Sequence, residues 1–287
     1  MKLPHPLHNI LSLLKDVFHD YSADNGSMVA AAVSFYIFLS FIPLLLLGVA
    51  IFGFVLGSPK QAEEFVLSFT RNYTSISSGG KADIMSVISE VIAGRGSATL
   101  IGTFLLLWSG TSVIANIEKA INMAWDVDRP RRFIKRRLVG VGMLVLIGLL
   151  LGVSVGLTAL LRALQQISIF GVHPGQWPVI LDVSAYLIPL FITIIAFSLI
   201  YKILPNTNVR WQAALIGGIF SGILWETAKV VFSFYLSHFG NYNAIYGSIA
   251  AIILFLVWIY YSSIITILGA EFASVWDKRQ KAGTTQV

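Results

Sequence analysis

An acid and a base stand near the centre of a long apolar stretch of this chain. Residues 217–236 read GGIFSGILWETAKVVFSFYL, with Glu226 and Lys229 in the middle. An ionised side chain at the centre of a membrane helix costs about 2.5–3.5 kcal/mol on insertion scales. Residues three apart share a helical face, so the two side chains can pair and cancel their formal charges. The pair can therefore lock helix packing, or it can form the polar element of a substrate cavity.

Small and polar residues extend this candidate site along the same helical face and onto a second helix. Gly222 and Ser233 share the face of Glu226, and Gly218 with Gly222 permits close approach of a neighbouring helix. A second polar stripe, which includes Ser112 and Asn116 on an earlier apolar segment, could face the first. The predicted intramembrane site comprises Glu226, Lys229, Gly222, Ser233, Asn116 and Ser112.

Three further ionisable residues fall at the ends of apolar segments, where long side chains reach water cheaply. Glu118 and Lys119 end one segment, and Glu271 ends the last. We expect Glu271 to form a salt bridge with Lys119 or with an arginine of the basic loop. Such a bridge would close the inner side of the helix bundle as a gate or a structural contact.

A basic loop, DVDRPRRFIKRR, follows the second apolar segment. Its simplest role is to anchor membrane topology, because cytoplasmic loops are rich in lysine and arginine. Basic residues beside a span also attract anionic lipid headgroups. The predicted headgroup contacts are Arg131, Arg132, Lys135, Arg136 and Arg137.

The composition identifies the elements that must position these residues. The 287-residue chain is 56% hydrophobic and 12% charged, whereas soluble domains are about 25% charged. Its apolar blocks are long enough for membrane helices, which need about 20 residues each. We predict an all-α integral membrane protein with one domain, 1–287, and six spans, at about 28–57, 97–121, 138–161, 181–204, 212–237 and 247–271.

The distribution of lysine and arginine predicts the orientation of the spans. Thirteen of these residues fall on the side of the termini and the 126–137 loop, and five on the other side. The positive-inside rule then places both termini in the cytoplasm. Helical spacing of apolar residues also predicts a short amphipathic helix at residues 3–20 and two more in the external segment 58–96.

Several kinds of chemistry have no support in the sequence. The absence of cysteine excludes disulfides, thiol nucleophiles and cysteine metal ligands. The five histidines are scattered between the termini and loops on opposite sides, so no metal-dependent nuclease cluster is apparent. We predict no catalytic, metal or cofactor-binding residue, no cofactor and no nucleic-acid partner.

Five stretches resemble the YihY/BrkB-like family of bacterial inner-membrane proteins in order and spacing. They are FLSFIPLLLLG (38–48), the basic loop after the second span, LPNTNVRWQAALIGG (204–218), LWETAKVVFSFYL (224–236) and the last span from YNAIYG to LGAEF (242–272). The resemblance implies a six-span protein of the bacterial inner membrane. It also carries the labels virulence factor and, formerly, ribonuclease BN, and a suggested role in handling envelope lipids.

Three functions remain open. The leading hypothesis is a protein that binds or transports a lipid or other amphiphile in envelope maintenance, with membrane lipids as its partners. The second is a proton-coupled transporter of a small solute or ion, in which Glu226 carries the proton. The third is a non-transporting membrane scaffold for envelope assembly. We reject nuclease activity and predict that the protein is not an enzyme.

Overall fold

Seven helices make up the described part of the chain. The structure, a computed structural model, describes residues 5–55, 97–129, 131–166, 178–238 and 249–284. These residues contain no strand, which confirms the predicted all-α class for the ranges described. The helices are α1 (His5–Ala23), α2 (Gly26–Val55), α3 (Ser97–Ala124), α4 (Phe133–Gln166), α5 (Pro178–Ile203), α6 (Trp211–His238) and α7 (Ile249–Thr284).

Two helices extend well beyond the spans predicted from hydropathy. Helix α4 begins at Phe133 and includes the last three basic residues of the loop, while α7 continues well past residue 271 to Thr284. In α7 the polar extension carries an ion pair one turn apart, with Lys281 Nζ 2.7 Å from Asp277 Oδ2. Hydropathy identifies the apolar part of a helix but not its ends. The amphipathic helices predicted in 58–96 lie outside the described residues.

Helices α2–α7 pack as a closed ring. Helices α5 and α6, joined by the short connection 204–210, form the most extensive contact. Around the ring, α6 packs on α7, α7 on α2, α2 on α3, α3 on α4 and α4 on α5. Helix α1 packs outside the ring, mainly against α7. Each ring helix therefore packs on two neighbours along the ring, and α7 also contacts α3.

A buried tyrosine joins three helices of the ring. The hydroxyl of Tyr201 on α5 lies 2.6 Å from Ser221 Oγ on α6 and donates to the carbonyl of Thr266 on α7 at 2.9 Å. Tyr201 and Ser221 are completely buried. These bonds satisfy both hydroxyls where water is excluded, so they specify how α5, α6 and α7 meet.

Two described helices contain segments long and apolar enough to cross a membrane. These segments are Trp211–Leu236 in α6 and Ile252–Ala282 in α7. Shorter apolar segments, Gly26–Phe41 and Leu187–Ile203, occur in α2 and α5. Six spans with cytoplasmic termini stay a prediction.

Candidate functional site

The central acid and base form an ion pair within α6. Lys229 Nζ lies 2.8 Å from Glu226 Oε2, and Thr193 on α5 donates through its hydroxyl to Glu226 Oε1 at 3.3 Å. The Glu226 side chain is 27% exposed and that of Lys229 is 40% exposed. The pair is thus neither enclosed in the core nor directed wholly outward. It lies at the edge of the contact between α5 and α6.

Small residues bring α5 close enough to reach this pair. A Cβ at Gly222 would stand 2.6 Å from Ile194 Cγ1, and one at Gly218 would stand 2.8 Å from the Ile194 carbonyl oxygen. Both glycines therefore face α5, and Glu226 continues the same face one turn further along α6. The predicted role of Gly222 and Gly218 in close helix approach is confirmed. Their partner is α5.

An apolar cavity of about 360 Å³ occupies the centre of the ring. All six ring helices contribute to its wall, which makes it a property of the whole bundle. Its lining includes Val33 and Ile37 from α2, Ile117 and Ala120 from α3, Ile147 and Leu150 from α4, Ile192, Thr193, Ala196, Phe197 and Ile200 from α5, Trp225 from α6, and Ser262, Ser263, Thr266 and Ile267 from α7.

The hydroxyls that α7 contributes to this wall are bonded within their own helix. Ser262 donates to the carbonyl of Trp258 at 2.8 Å, Ser263 to that of Ile259 at 2.9 Å and Thr266 to that of Ser262 at 2.8 Å. A hydroxyl that already donates to its own helix has no proton left for a ligand. The wall of the cavity therefore favours hydrocarbon.

The ion pair and the cavity meet at two residues. Thr193 lines the cavity and donates to Glu226, while Trp225 lines the cavity and precedes Glu226 in the chain. Trp225 packs edge-on against Trp258 of α7, with ring centroids 5.3 Å apart. The charges thus lie beside the apolar space, separated from it by one threonine and one tryptophan. Sequence reasoning missed Thr193, because a single threonine in an apolar helix carries no signal.

The polar stripe of α3 has other partners than those predicted. Asn116 donates to the Ser112 carbonyl of its own helix at 2.8 Å, and Ser112 accepts from Arg137 Nη1 at 3.1 Å. The principal neighbours of α3 are α2, α4 and α7, so the expectation that this stripe faces the ion pair of α6 is wrong. Ser233, on α6 itself, is exposed. The structure therefore brings Gly222, but neither Ser112 nor Asn116, to the pair.

The salt bridge expected for Glu271 is not found among the described residues. Glu118 instead pairs with Arg131, with Arg131 Nη1 3.8 Å from Glu118 Oε1, and Lys119 is exposed. Glu271 is 1% exposed, and its Oε1 has no hydrogen-bond partner. Position along the helices placed all three residues near one end of the bundle, but only packing decides which acid meets which base.

The five basic residues predicted to contact headgroups separate into two groups. Arg131 has a side chain that is only 9% exposed, and it donates to the carbonyls of Ile203 and Pro205 at 2.8 and 2.9 Å, so it holds the end of α5. Arg137 lies over the ring of Trp108, 3.9 Å from its centroid. Arg132 and Lys135 are exposed, while Arg136 is partly buried. Arg131 and Arg137 stabilise the bundle, and the exposed Arg132 and Lys135 remain available to lipid.

The fold and this site define an all-helical membrane protein. Its ring of helices contains segments that can cross a membrane, an apolar central cavity and one charged pair beside it. The sequence model of the family described as Virulence factor BrkB matches residues 17–286. The chain belongs to this family, which confirms the predicted resemblance.

Curated relatives agree with this assignment. A UPF0761 membrane protein of Pseudomonas aeruginosa is 29% identical over 88% of this chain and 59% of its own length. One of Azotobacter vinelandii is 32% identical over 91% of this chain and 62% of its own length. This chain thus spans about three fifths of these relatives. The ribonuclease-like protein YfkH of Bacillus subtilis is 28% identical over 94% of this chain and 97% of its own length. No solved structure matches the chain.

Proposed function

We propose that this protein binds or transports a lipid or other amphiphile in the bacterial inner membrane, as a six-span protein with both termini in the cytoplasm. The observation that carries the proposal is the apolar cavity whose lining comes from all six ring helices. Its volume of about 360 Å³ is near the small end of the ~300–1,000 Å³ typical of ligand pockets. It suits the hydrocarbon part of an amphiphile better than a whole lipid.

The Glu226–Lys229 pair supports this proposal as the polar element of the site. A headgroup placed beside the cavity would find an anion, a cation and the Thr193 hydroxyl within one helical turn. Both ionised side chains retain exposed surface, so they can exchange their mutual contact for contacts with a headgroup. The chemistry favours an amphiphile whose headgroup carries charge.

The exposed basic residues support the proposed orientation. Arg132 immediately precedes α4 and Lys135 lies in its first turn, just before the predicted span at about 138–161. The anionic surface of a cytoplasmic leaflet attracts such residues by about 1 kcal/mol each. Helix α1, with Leu11 and Phe18 exposed, is suited to lie in the same interface.

Filling the cavity is expected to reduce lipid binding. Ala196→Phe places a ring in the apolar space, and we expect at least about tenfold weaker binding of a fluorescent phospholipid, or 1.4 kcal/mol. The matched control is Ala32→Phe, the same change on the exposed face of α2. Both proteins are purified in detergent, and thermal unfolding verifies that they are folded. Equal binding by the two variants would show that the cavity does not hold the acyl chain.

Removing the negative charge of the pair is expected to change headgroup preference. Glu226→Gln keeps a hydrogen-bond acceptor for Thr193 but leaves Lys229 without its counter-ion. We expect relative affinity to shift toward anionic phospholipids by about fivefold to tenfold over zwitterionic ones, measured with headgroup-defined vesicles. An unchanged preference would make the pair structural. Solute uptake that depends on pH in the parent protein and is lost in Glu226→Gln would favour the proton-coupled transporter instead.

We propose no enzymatic role. The name of YfkH raises nuclease activity, which requires clustered metal ligands. Within the described residues, no group of three or more histidine, aspartate or glutamate side chains could hold a metal ion. Incubating the purified protein with RNA and Mg²⁺ tests this directly, since cleavage that persists through repeated purification would contradict the proposal.

A further inference from the structure

The apolar cavity is closed at the end of the bundle that carries the basic loop. Beyond the cavity in this direction, α3, α5 and α7 pack through side chains with almost no exposed surface. These residues belong to one core cluster and are each 0–2% exposed: Ile121 and Ala124 on α3, Tyr201 and Leu204 on α5, and Ala270 on α7. A ligand arriving from this end would have to pass through a packed core.

The connections between helices reinforce the closure at this end. Asn122 Oδ1, near the end of α3, accepts a hydrogen bond from the backbone N–H of Asn206 at 2.8 Å. The side chain of Asn206 donates to the carbonyl of Arg129 in the basic loop at 2.9 Å. Together with the bonds of Arg131 described above, these contacts fasten the basic loop to the connection between α5 and α6.

The contact between α4 and α5 is the weakest around the ring. Among the described residues, these two helices form the least extensive contact between ring neighbours. Beside the cavity, Ser34 Oγ on α2 lies 3.0 Å from Ser263 Oγ on α7, and Thr193 on α5 donates to Glu226 on α6. Between the described side chains of α4 and α5, in contrast, there is no hydrogen bond, ion pair or aromatic contact. This contact therefore depends on apolar packing alone.

The wall of the cavity is least enclosed on the side of these two helices. Both lining residues of α4, Ile147 and Leu150, are partly exposed, and so are four of the five from α5. Two of these four, Ile192 and Ala196, lie one turn apart on the same face of α5. The walls formed by α2, α3 and α7 each include residues that are only 2–5% exposed, namely Val33, Ala120, Ser263 and Ile267.

The outer surfaces of α4 and α5 are apolar on either side of this contact. On α4, Val145, Leu149 and Val153 are 57–62% exposed, and on α5 Leu187 and Phe191 are 55% and 64% exposed. In the membrane proposed above, these side chains face the acyl chains of the bilayer, which are as apolar as leucine. Hydrocarbon outside the ring is therefore separated from the apolar cavity only by the contact of α4 with α5.

We propose that α4 and α5 form a lateral gate through which the hydrocarbon chain of a membrane lipid enters the cavity directly from the bilayer. This inference rests on the proposed function, because it assumes that the cavity holds such a chain. The chain passes from one apolar environment to another, so no polar group has to lose water along the path. The substrate class is accordingly a lipid already dissolved in the membrane, and not a solute taken up from water.

Tethering α4 to α5 tests the gate, in a chain that has no cysteine of its own. Leu150→Cys and Ile192→Cys are combined and joined by a short bifunctional thiol reagent. The control combines Ser34→Cys with Ser263→Cys, joined in the same way between α2 and α7. A phospholipid with brominated acyl chains is added to the protein in detergent, and quenching of Trp225, which lines the cavity, reports entry of the chain. The difference between each protein and its Trp225→Phe version isolates this signal.

The tether between α4 and α5 is expected to slow entry and release of the chain by the same factor, at least about tenfold, because binding that requires a conformational change is slow. The final extent of quenching should stay the same, since a closed gate obstructs the path without occupying the site. The control tether should change both rates by less than about twofold. If the first pair does not fold, Leu149→Cys with Phe191→Cys provides a second pair on the exposed side of the same contact.

The outcomes separate the gate from the cavity that it serves. Unchanged rates in the tethered protein, or equal slowing by the control tether, would overturn the gate and leave lipid binding in place. A monofunctional thiol reagent on Leu150→Cys with Ile192→Cys adds bulk without joining the helices, and equal slowing by this reagent would also overturn the gate. Absence of any quenching of Trp225 in the untethered protein would contradict the proposed function together with the gate.

Discussion

Gly218→Ala is expected to destabilise the packing of α5 on α6 by about 2–3 kcal/mol, because overpacking a tight helix contact typically costs 1–3 kcal/mol. The new methyl group would stand 2.8 Å from the Ile194 carbonyl oxygen and 2.9 Å from the Ser198 backbone nitrogen, and it would overlap the Ser198 hydroxyl. Backbone atoms cannot rotate away, so the two helices must separate. We expect a lower midpoint of thermal unfolding in detergent, by several degrees.

The control for this substitution is Gly148→Ala on α4. A Cβ there meets nothing within 4 Å, and Gly148 is exposed. Alanine is favoured over glycine in a helix by about 0.8–1.0 kcal/mol, so this variant should be as stable as the parent protein or slightly more stable. Equal unfolding midpoints for the two variants would show that α5 and α6 do not approach as described. In that case the hydrogen bond from Thr193 on α5 to Glu226 on α6 would also be in error, because it requires the same close approach of the two helices.

Arg131→Met is expected to lower the unfolding free energy by about 3–5 kcal/mol, the range measured when one partner of a buried ion pair is removed. The substitution leaves Glu118, which is 1% exposed, without the guanidinium 3.8 Å away. It also removes the donor to the carbonyls of Ile203 and Pro205. Thermal and denaturant unfolding of the purified protein measure the loss.

A double-mutant cycle separates the charge from the lost hydrogen bonds. Glu118→Gln combined with Arg131→Met removes both charges, so we expect it to recover part of the stability that Arg131→Met alone loses. Arg132→Met changes the exposed neighbour and should alter stability by less than about 0.5 kcal/mol. If Arg132→Met is as damaging as Arg131→Met, the basic segment acts through its total charge, and Arg131 has no special role.

These two substitutions concern different parts of one architecture. Gly218 lies where α5 and α6 form the wall beside the ion pair, and Arg131 lies at the end of the bundle that carries the basic loop. The first contact determines whether Thr193 reaches Glu226 and lines the cavity. The second connects the segment before α4 to the end of α5. Both therefore support the ring that lines the apolar space.

Local features of this protein could be predicted from its sequence. Hydropathy located the apolar helices, and the spacing of Glu226 and Lys229 predicted their ion pair, observed at 2.8 Å. The glycines of α6 indicated close helix approach. Each of these predictions depends on residues within one or two turns of the same helix, where the geometry is known in advance.

Contacts between distant segments could not be predicted in this way. Glu271 was expected to pair with Lys119 or with an arginine of the basic loop, but its Oε1 has no hydrogen-bond partner, and Arg131 of the loop pairs with Glu118 instead. The stripe of Ser112 and Asn116 was expected to face α6, although α3 packs mainly on other helices. Helices that are apolar on every side give no periodic signal for the face that turns inward.

By itself the sequence determined the class of this protein, the approximate positions of its described helices and the local pairing of its central charges, because these follow from composition and helical spacing. Only the tertiary structure decided the closed order of the ring, the shared apolar cavity, the contact of Thr193 with Glu226 and the pairing of Arg131 with Glu118. The physical reason is that these features depend on side-chain shape and close approach between helices far apart in the chain. Neither is encoded in the hydropathy of any one helix.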